Sequence, residues 1–168
     1  MGSLATNVFV RILLFVASLV ALIVMVTAKQ SNDFLFESYF WITAIAKFTL
    51  TPANKYFVAA TAYVCLYSLL SVLVCLGNPR STKVHLYLIL LDAVALGVLA
   101  SATGTAGGVG YVGWKGNDAV GWYKFCGVYN KYCDHIAAAV ALSLFGSILL
   151  VLLTFISARS LYLCSSNS

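Results

Sequence analysis

Long apolar runs, fenced by isolated charges, set the pattern of this chain. Residues 12–28 give 17 positions without a charge, 56–79 give 24, 93–114 give 22 and 135–158 give 24. The stretch 84–91 extends the third run upstream across Asp92. Each run is long enough to cross a hydrocarbon layer about 30 Å thick. Inside lipid the backbone must satisfy its own hydrogen bonds, so each run is predicted to be a helix. The pattern predicts one four-span membrane domain over residues 1–168, an all-α bundle with helices near 7–28, 56–76, 84–107 and 135–157. Residues 29–55 and 108–134 are read as long loops. Residues 77–83 form a short connection around Gly77-Asn78-Pro79, a strong helix breaker.

Composition sharpens this picture. Of 168 residues, 62% are apolar and only 9% charged, against about 25% charged in soluble domains. That excludes an ordinary soluble enzyme and a disordered chain. The net charge of +5 comes from basic residues spread singly, which leaves no patch to grip nucleic-acid phosphates. Two alternatives compete at the start of the chain. Val26-Thr27-Ala28 resembles a signal-peptidase site, but the apolar run is longer than such signals use and Arg11 stands well inside the chain. Met1-Gly2-Ser3-Leu4-Ala5-Thr6 fits a short and common myristoylation pattern.

An even number of spans puts both termini on one side. Arg11, Arg80, Lys83 and Arg159 lie toward that side, and Lys29, Lys47, Lys55, Lys115, Lys124 and Lys131 toward the other. The positive-inside rule does not separate these two sets. Cys126 and Cys133 lie in the second long loop, close enough in sequence to bridge, and a stable disulfide requires an oxidising compartment. This places the loops outside and the termini in the cytosol, with free thiols as the alternative. Zinc is disfavoured, because Cys126, Cys133 and His135 give too few ligands in no structural-site spacing.

Asp92 is the most informative residue. It follows Lys83 by nine positions, about 13 Å along a helix, which is past the headgroups. A charge at that depth is expensive and is either paired or functional. Arg11, roughly 10 Å into helix 1 by the same rise, is the natural partner, since helices 1 and 3 run in the same direction. Three readings stand: a structural ion pair, a proton or ion pathway, and two unpaired groups with Arg11 reaching back to the interface.

Helix 3 also carries a ridge of small residues, Ala93, Gly97, Ala100, Gly104 and Gly108. Such spacing lets helices approach closely. Its centre lies roughly 120° around the helix from Asp92, so helix 3 is expected to meet one neighbour through charge and another through close packing. Helix 4 offers Ala139, Ser143, Gly146 and Ser147 as a matching surface. Whether the ridge packs within one chain or between chains is open at this point.

No phosphate loop, zinc-protease helix or serine-nucleophile motif occurs, and no C-x-x-C pair. No catalytic residue, cofactor or metal is expected. Cys65 and Cys75 read as small apolar residues of helix 2. Cys164, just past helix 4, is a candidate for palmitoylation. Trp114 and Trp122, with Tyr111 and Tyr123, fit an aromatic belt at the outer interface.

The ordered motifs complete the reading. Arg11 enters helix 1, which ends Val24-Met25-Val26-Thr27-Ala28-Lys29-Gln30. Leu90-Leu91-Asp92 stands in helix 3. The stretch Ala100-Ser101-Ala102-Thr103-Gly104-Thr105-Ala106-Gly107-Gly108 leads to Tyr111-Val112-Gly113-Trp114-Lys115-Gly116-Asn117, and Trp122-Tyr123-Lys124-Phe125-Cys126-Gly127-Val128-Tyr129-Asn130-Lys131-Tyr132-Cys133 precedes helix 4. From Arg11 to Arg159 the chain resembles the Casparian strip membrane protein-like (CASP-like) family of land plants, group 1, and in particular its 1D branch. The resemblance implies a plasma-membrane protein with four spans and cytosolic termini, similar in architecture to the MARVEL four-helix proteins. It implies an arginine in span 1 and an aspartate in span 3, which map onto Arg11 and Asp92. It implies homodimers and heterodimers with other CASP-like proteins, and a non-enzymatic scaffold that organises the membrane and recruits or confines cell-wall-modifying partners. The first outer loop departs from the strip-forming branch, so a general scaffold role is implied rather than strip formation. A small ion or proton channel or transporter using Asp92 is the alternative.

Overall fold

The computed structural model describes residues 2–36, 40–47, 51–77, 82–116, 124, 126 and 130–166, with side chains at 5–28, 51–77, 83–116, 124, 126, 130–159, 161 and 162. Four helices dominate: α1 (Gly2–Thr27), α2 (Pro52–Gly77), α3 (Thr82–Lys115) and α4 (Asn130–Ser166). All four are long and apolar enough to cross a membrane, over Ala5–Thr27, Pro52–Gly77, Lys83–Lys115 and Asn130–Arg159. The chain is an all-α, four-span membrane protein in architecture.

Several boundaries differ from the sequence reading, and α1 and α2 begin earlier than expected, at Gly2 and Pro52. Within 29–55, read as loop, β1 (Lys29–Phe36) and β2 (Phe40–Lys47) form an antiparallel hairpin, with Lys29 opposite Lys47 and Phe36 opposite Phe40. In the stretch 108–134, α3 continues to Lys115 and α4 already begins at Asn130. The helix at the C-terminal end runs past 157 to Ser166. The remaining tip residues of the Gly77-Asn78-Pro79 connection lie outside the described residues, as do Trp122 and Tyr123 of the expected aromatic belt. The side chain of Cys164 also lies outside the description.

Local chemistry explains where the helices start and stop. Thr51 precedes Pro52, and its carbonyl accepts the backbone N–H groups of Asn54 (3.1 Å) and Lys55 (3.3 Å). Proline suits the first helical position, where its missing N–H costs nothing. α3 ends at Gly116, which takes φ 72° and donates its N–H to the Val112 carbonyl at 2.7 Å. This is a left-handed cap, and glycine has no Cβ to oppose it. The Cys126 N–H then closes on the Gly113 carbonyl at 3.2 Å, satisfying another exposed end group of α3.

α1 packs against α2 and α4, and α3 packs against α2 and α4. α1 and α3 therefore face each other across the diagonal of the bundle. Each helix contributes a seam with alternating steps of three and four. In α1 it is Asn7, Arg11, Leu14, Ser18, Ala21 and Met25, continued by Ala28 just past the helix end; in α3 it is His85, Leu88, Asp92, Ala95, Leu99, Ala102 and Ala106, all buried. This is the seven-residue repeat of left-handed helix packing. The core has two apolar layers. Met25, Phe57, Ala60, Ala102, Ala106, Ile136 and Ala139 form one toward the hairpin end. Leu14, Val64, Ala95, Leu99, Leu149, Leu150 and Leu153 form the other toward the end that carries the termini.

The small-residue ridge is not the packed face within the chain. Ala93, Gly97, Ala100, Gly104 and Gly108 are all exposed on the outside of α3. A Cβ added at Gly97, Gly104 or Gly108 would meet nothing within 4 Å. The reason is angular. Asp92 lies on the seam, and a ridge turned well over 90° from the seam must point out of the bundle. The small surface of α4 does serve the interior: Ala139 and Ser143 are buried, and a Cβ on Gly146 would stand 3.3 Å from Leu99 Cδ2 and 3.6 Å from Leu14 Cδ1. Its partners are thus the seam residues of α3 and α1, not the ridge. The Thr103 hydroxyl donates to Ser143 Oγ at 2.9 Å, tying α3 to α4.

Candidate functional site

Helix α1 brings Arg11 to the centre of the bundle because Arg11 falls on the seam, three residues before Leu14. Helix α3 brings Asp92 to the same level for the same reason. Both side chains are 0% exposed. The guanidinium spans the diagonal and binds the carboxylate with two parallel bonds, Nη2 to Oδ2 at 2.8 Å and Nη1 to Oδ1 at 3.2 Å. Such fork-to-fork pairing fixes orientation as well as charge.

The pair does not stand alone. The Tyr67 hydroxyl of α2 donates to Asp92 Oδ1 at 2.5 Å. Arg11 Nε donates to Asn7 Oδ1 at 2.8 Å, one turn earlier on α1. Asn7 Nδ2 in turn donates to Ser157 Oγ of α4 at 3.3 Å, and Cys75 Sγ of α2 lies 3.9 Å from Asn7 Oδ1. Every helix of the bundle contributes to this clasp. In lipid an unsatisfied polar group has no water to turn to, so the network is held by mutual saturation. Asp92 accepts three hydrogen bonds and Arg11 gives three, which leaves the two charges compensated inside a low-dielectric core.

Asn7, Tyr67 and Ser157 were not singled out by the sequence reading, and Cys75 was read as an apolar filler. Asn7 had a usable signal, since it stands four residues before Arg11 and shares its helix face. Tyr67 and Ser157 are single polar residues among many apolar ones, and only the assembled bundle separates them from the others.

At the hairpin end, Cys126 and Cys133 form a disulfide with Cα atoms 5.7 Å apart. It links the segment after α3 to the first turn of α4. Cys65 and Cys75 are buried free thiols. Trp114 and Tyr111 project outward at this end, and Lys115 Nζ lies 5.9 Å above the Tyr111 ring. Among the described residues no cluster of histidine, cysteine or carboxylate side chains is arranged to hold a metal.

Comparison with known proteins places this arrangement. The Casparian strip membrane protein domain matches residues 2–149, which includes Arg11, Asp92 and all the clasp residues except Ser157. The chain belongs to this family. CASP-like protein 1D2 of Glycine max is 48% identical over 161 residues, covering 93% of this chain and 82% of that protein. CASP-like protein 1D1 of Arabidopsis thaliana is 46% identical over 162 residues, covering 94% and 83%. CASP-like protein 1D1 of Vitis vinifera is 45% identical over 166 residues, covering 96% and 80%. No solved structure matches the chain. For this family member the resemblance read from the sequence therefore holds, including its 1D branch.

Proposed function

We propose that this CASP-like protein is a non-enzymatic scaffold of the plant plasma membrane. It self-associates, pairs with other CASP-like proteins, and recruits or confines cell-wall-modifying partners. Both termini face the cytosol, because the Cys126–Cys133 bridge belongs in an oxidising compartment. The architecture is that of a MARVEL-type bundle. The observation that carries the reading is the outward ridge of α3. Ala93, Gly97, Ala100, Gly104 and Gly108 present a stripe of low relief to the lipid, and in membranes such stripes let helices of separate chains approach closely. The clasp supplies the second requirement of a scaffold unit, a bundle that does not open when lateral contacts form. A channel gated by Asp92 is not favoured, because its carboxylate is taken up by Arg11 and Tyr67.

The test is fluorescence recovery after photobleaching of the tagged protein in a plant plasma membrane. Slow, incomplete recovery in discrete patches is expected, and a Gly97→Leu/Gly104→Leu variant should recover faster and more uniformly at equal surface level. Fast, complete recovery of the native chain would remove the scaffold reading.

A further inference from the structure

Toward the hairpin end, α3 and α4 leave a groove of about 650 Å³ between them. That lies within the size of sites that enclose small ligands. Val109, Tyr111 and Trp114 of α3 and Ile136, Val140 and Leu144 of α4 make its walls apolar. Trp114 is 66% exposed and Leu144 54%, so the groove is entered from the lipid side. From Asp134 to Leu144 the lining of α4 extends ten residues, about 15 Å toward the bilayer centre.

Two buried side chains with polar groups, Asn54 and Tyr132, line this groove. Asn54, on the first turn of α2, lines it and is 1% exposed. Its Nδ2 donates to the Tyr132 hydroxyl at 3.0 Å. Among the described residues Asn54 Oδ1 has no hydrogen-bond partner. Exchanging the amide oxygen and nitrogen does not remove the problem, because the end away from Tyr132 is then an unpartnered N–H₂. A buried amide with one end unmatched calls for a hydrogen-bonding partner, which a ligand hydroxyl in this groove would supply.

We propose that this groove binds an uncharged membrane lipid of the sterol class, with its single hydroxyl on Asn54 and its apolar body lying between α3 and α4. The hydroxyl donates to Oδ1 at the interfacial end, where a lipid hydroxyl resides, and the body follows the groove inward. Charge selects against other heads. The lining's one charged group among the described residues is Asp134, at the rim, and it would repel a phosphate or carboxylate. Lys124 lines only the adjoining depression, together with the same Asp134. A plain acyl chain would fill the walls and leave the amide unmatched.

The experiment uses the full-length protein in phosphatidylcholine vesicles carrying a trace of a diazirine sterol, with adducts mapped by mass spectrometry. A diazirine phosphatidylcholine is run in parallel. The sterol probe is expected to label groove residues of α3 and α4 and to be displaced by excess unlabelled sterol. Labelling should fall about tenfold in Asn54→Leu, which loses the hydrogen-bonding group, and in Ala141→Phe. Ala141 lines the groove from an exposed position of α4, so its replacement fills the space without touching the core and keeps the test alive should Asn54→Leu fold poorly. The phosphatidylcholine probe should spread over all lipid-facing helices in every variant. Sterol labelling that is scattered, or unchanged in Ala141→Phe, overturns the site. Labelling lost in Ala141→Phe but retained in a folded Asn54→Leu overturns the recognition of the hydroxyl.

Discussion

Replacing Asp92 by asparagine is the most direct test of the clasp. The change keeps the shape and removes the charge. Arg11 then remains fully buried with no anion, and an amide N–H₂ can be forced against its guanidinium. Removing one partner of a buried ion pair costs about 3–5 kcal/mol. Because both groups are 0% exposed, solvent screening does not reduce this. At about 2–4 °C per kcal/mol for a chain of this size, the melting temperature should drop by about 6–20 °C. The assay is thermal unfolding of purified protein in lipid nanodiscs. Leu90→Ala is the control, since Leu90 is 57% exposed on the outside of α3 and should shift stability by about 0.5 kcal/mol or less. The decisive arm is a double-mutant cycle with Arg11→Met and Asp92→Leu. With both charges gone, the Tyr67 hydroxyl still reaches the Leu88 carbonyl at 3.4 Å, so the double variant should melt above either single variant. If Asp92→Asn melts within about 2 °C of the native chain, or if the two single losses simply add in the double, the clasp does not hold the bundle and the argument fails.

Other consequences are smaller in scale. Tyr67→Phe removes one bond to a charged acceptor and should cost about 1.5–3 kcal/mol, less than Asp92→Asn in the same melting assay. Gly146→Val should cost about 1–3 kcal/mol by overpacking, since even its Cβ would press on Leu99 and Leu14. Gly97→Ala, which meets open space, should be neutral or gain up to about 1 kcal/mol from helix propensity; equal losses at both glycines would contradict the assignment of inner and outer faces. The Cys126→Ser/Cys133→Ser pair should lose about 2.5 kcal/mol, the chain-entropy value for so short a loop, and reductant should lower the melting temperature of the native chain but not of this variant.

Parts of the architecture were written plainly in the sequence, and parts were not. The four spans followed from charge spacing alone, because lipid leaves a long apolar run little choice but a helix. The hairpin did not, since Glu37-Ser38-Tyr39 between its strands contains no glycine, asparagine or proline to announce a tight turn. The last turns of α3 were hidden for the opposite reason. Gly107, Gly108, Gly110 and Gly113 look like loop, yet a Cβ at Gly107 or Gly110 would already touch Val140 or Ile136 at 3.4 Å. Gly107 and Gly110 thin α3 where it lies against α4, while Gly108 belongs to the outward ridge. The early start of α4 is visible only once Tyr132 is seen to continue the seam of Ile136, Ala139 and Ser143.

The ridge of α3 shows what spacing can and cannot decide. Ala93, Gly97, Ala100, Gly104 and Gly108 recur with the same three-and-four rhythm as Leu88, Asp92, Ala95, Leu99, Ala102 and Ala106. Two faces of one helix therefore both qualify as packing faces, and rhythm does not rank them. Cost does. A carboxylate facing lipid is far more expensive than a glycine facing lipid, so Asp92 must take the interior phase, and that choice turns the ridge outward. The same logic fixes α1 through Arg11. The two charges thus set the rotation of two diagonal helices at once, and α2 and α4 fill the sides with Tyr67 and Ser157 reaching the same network. On this view the pair specifies as much as it stabilises: an apolar replacement that keeps the bundle stable should loosen the angular setting of α3, and with it the orientation of the ridge through which self-association is proposed.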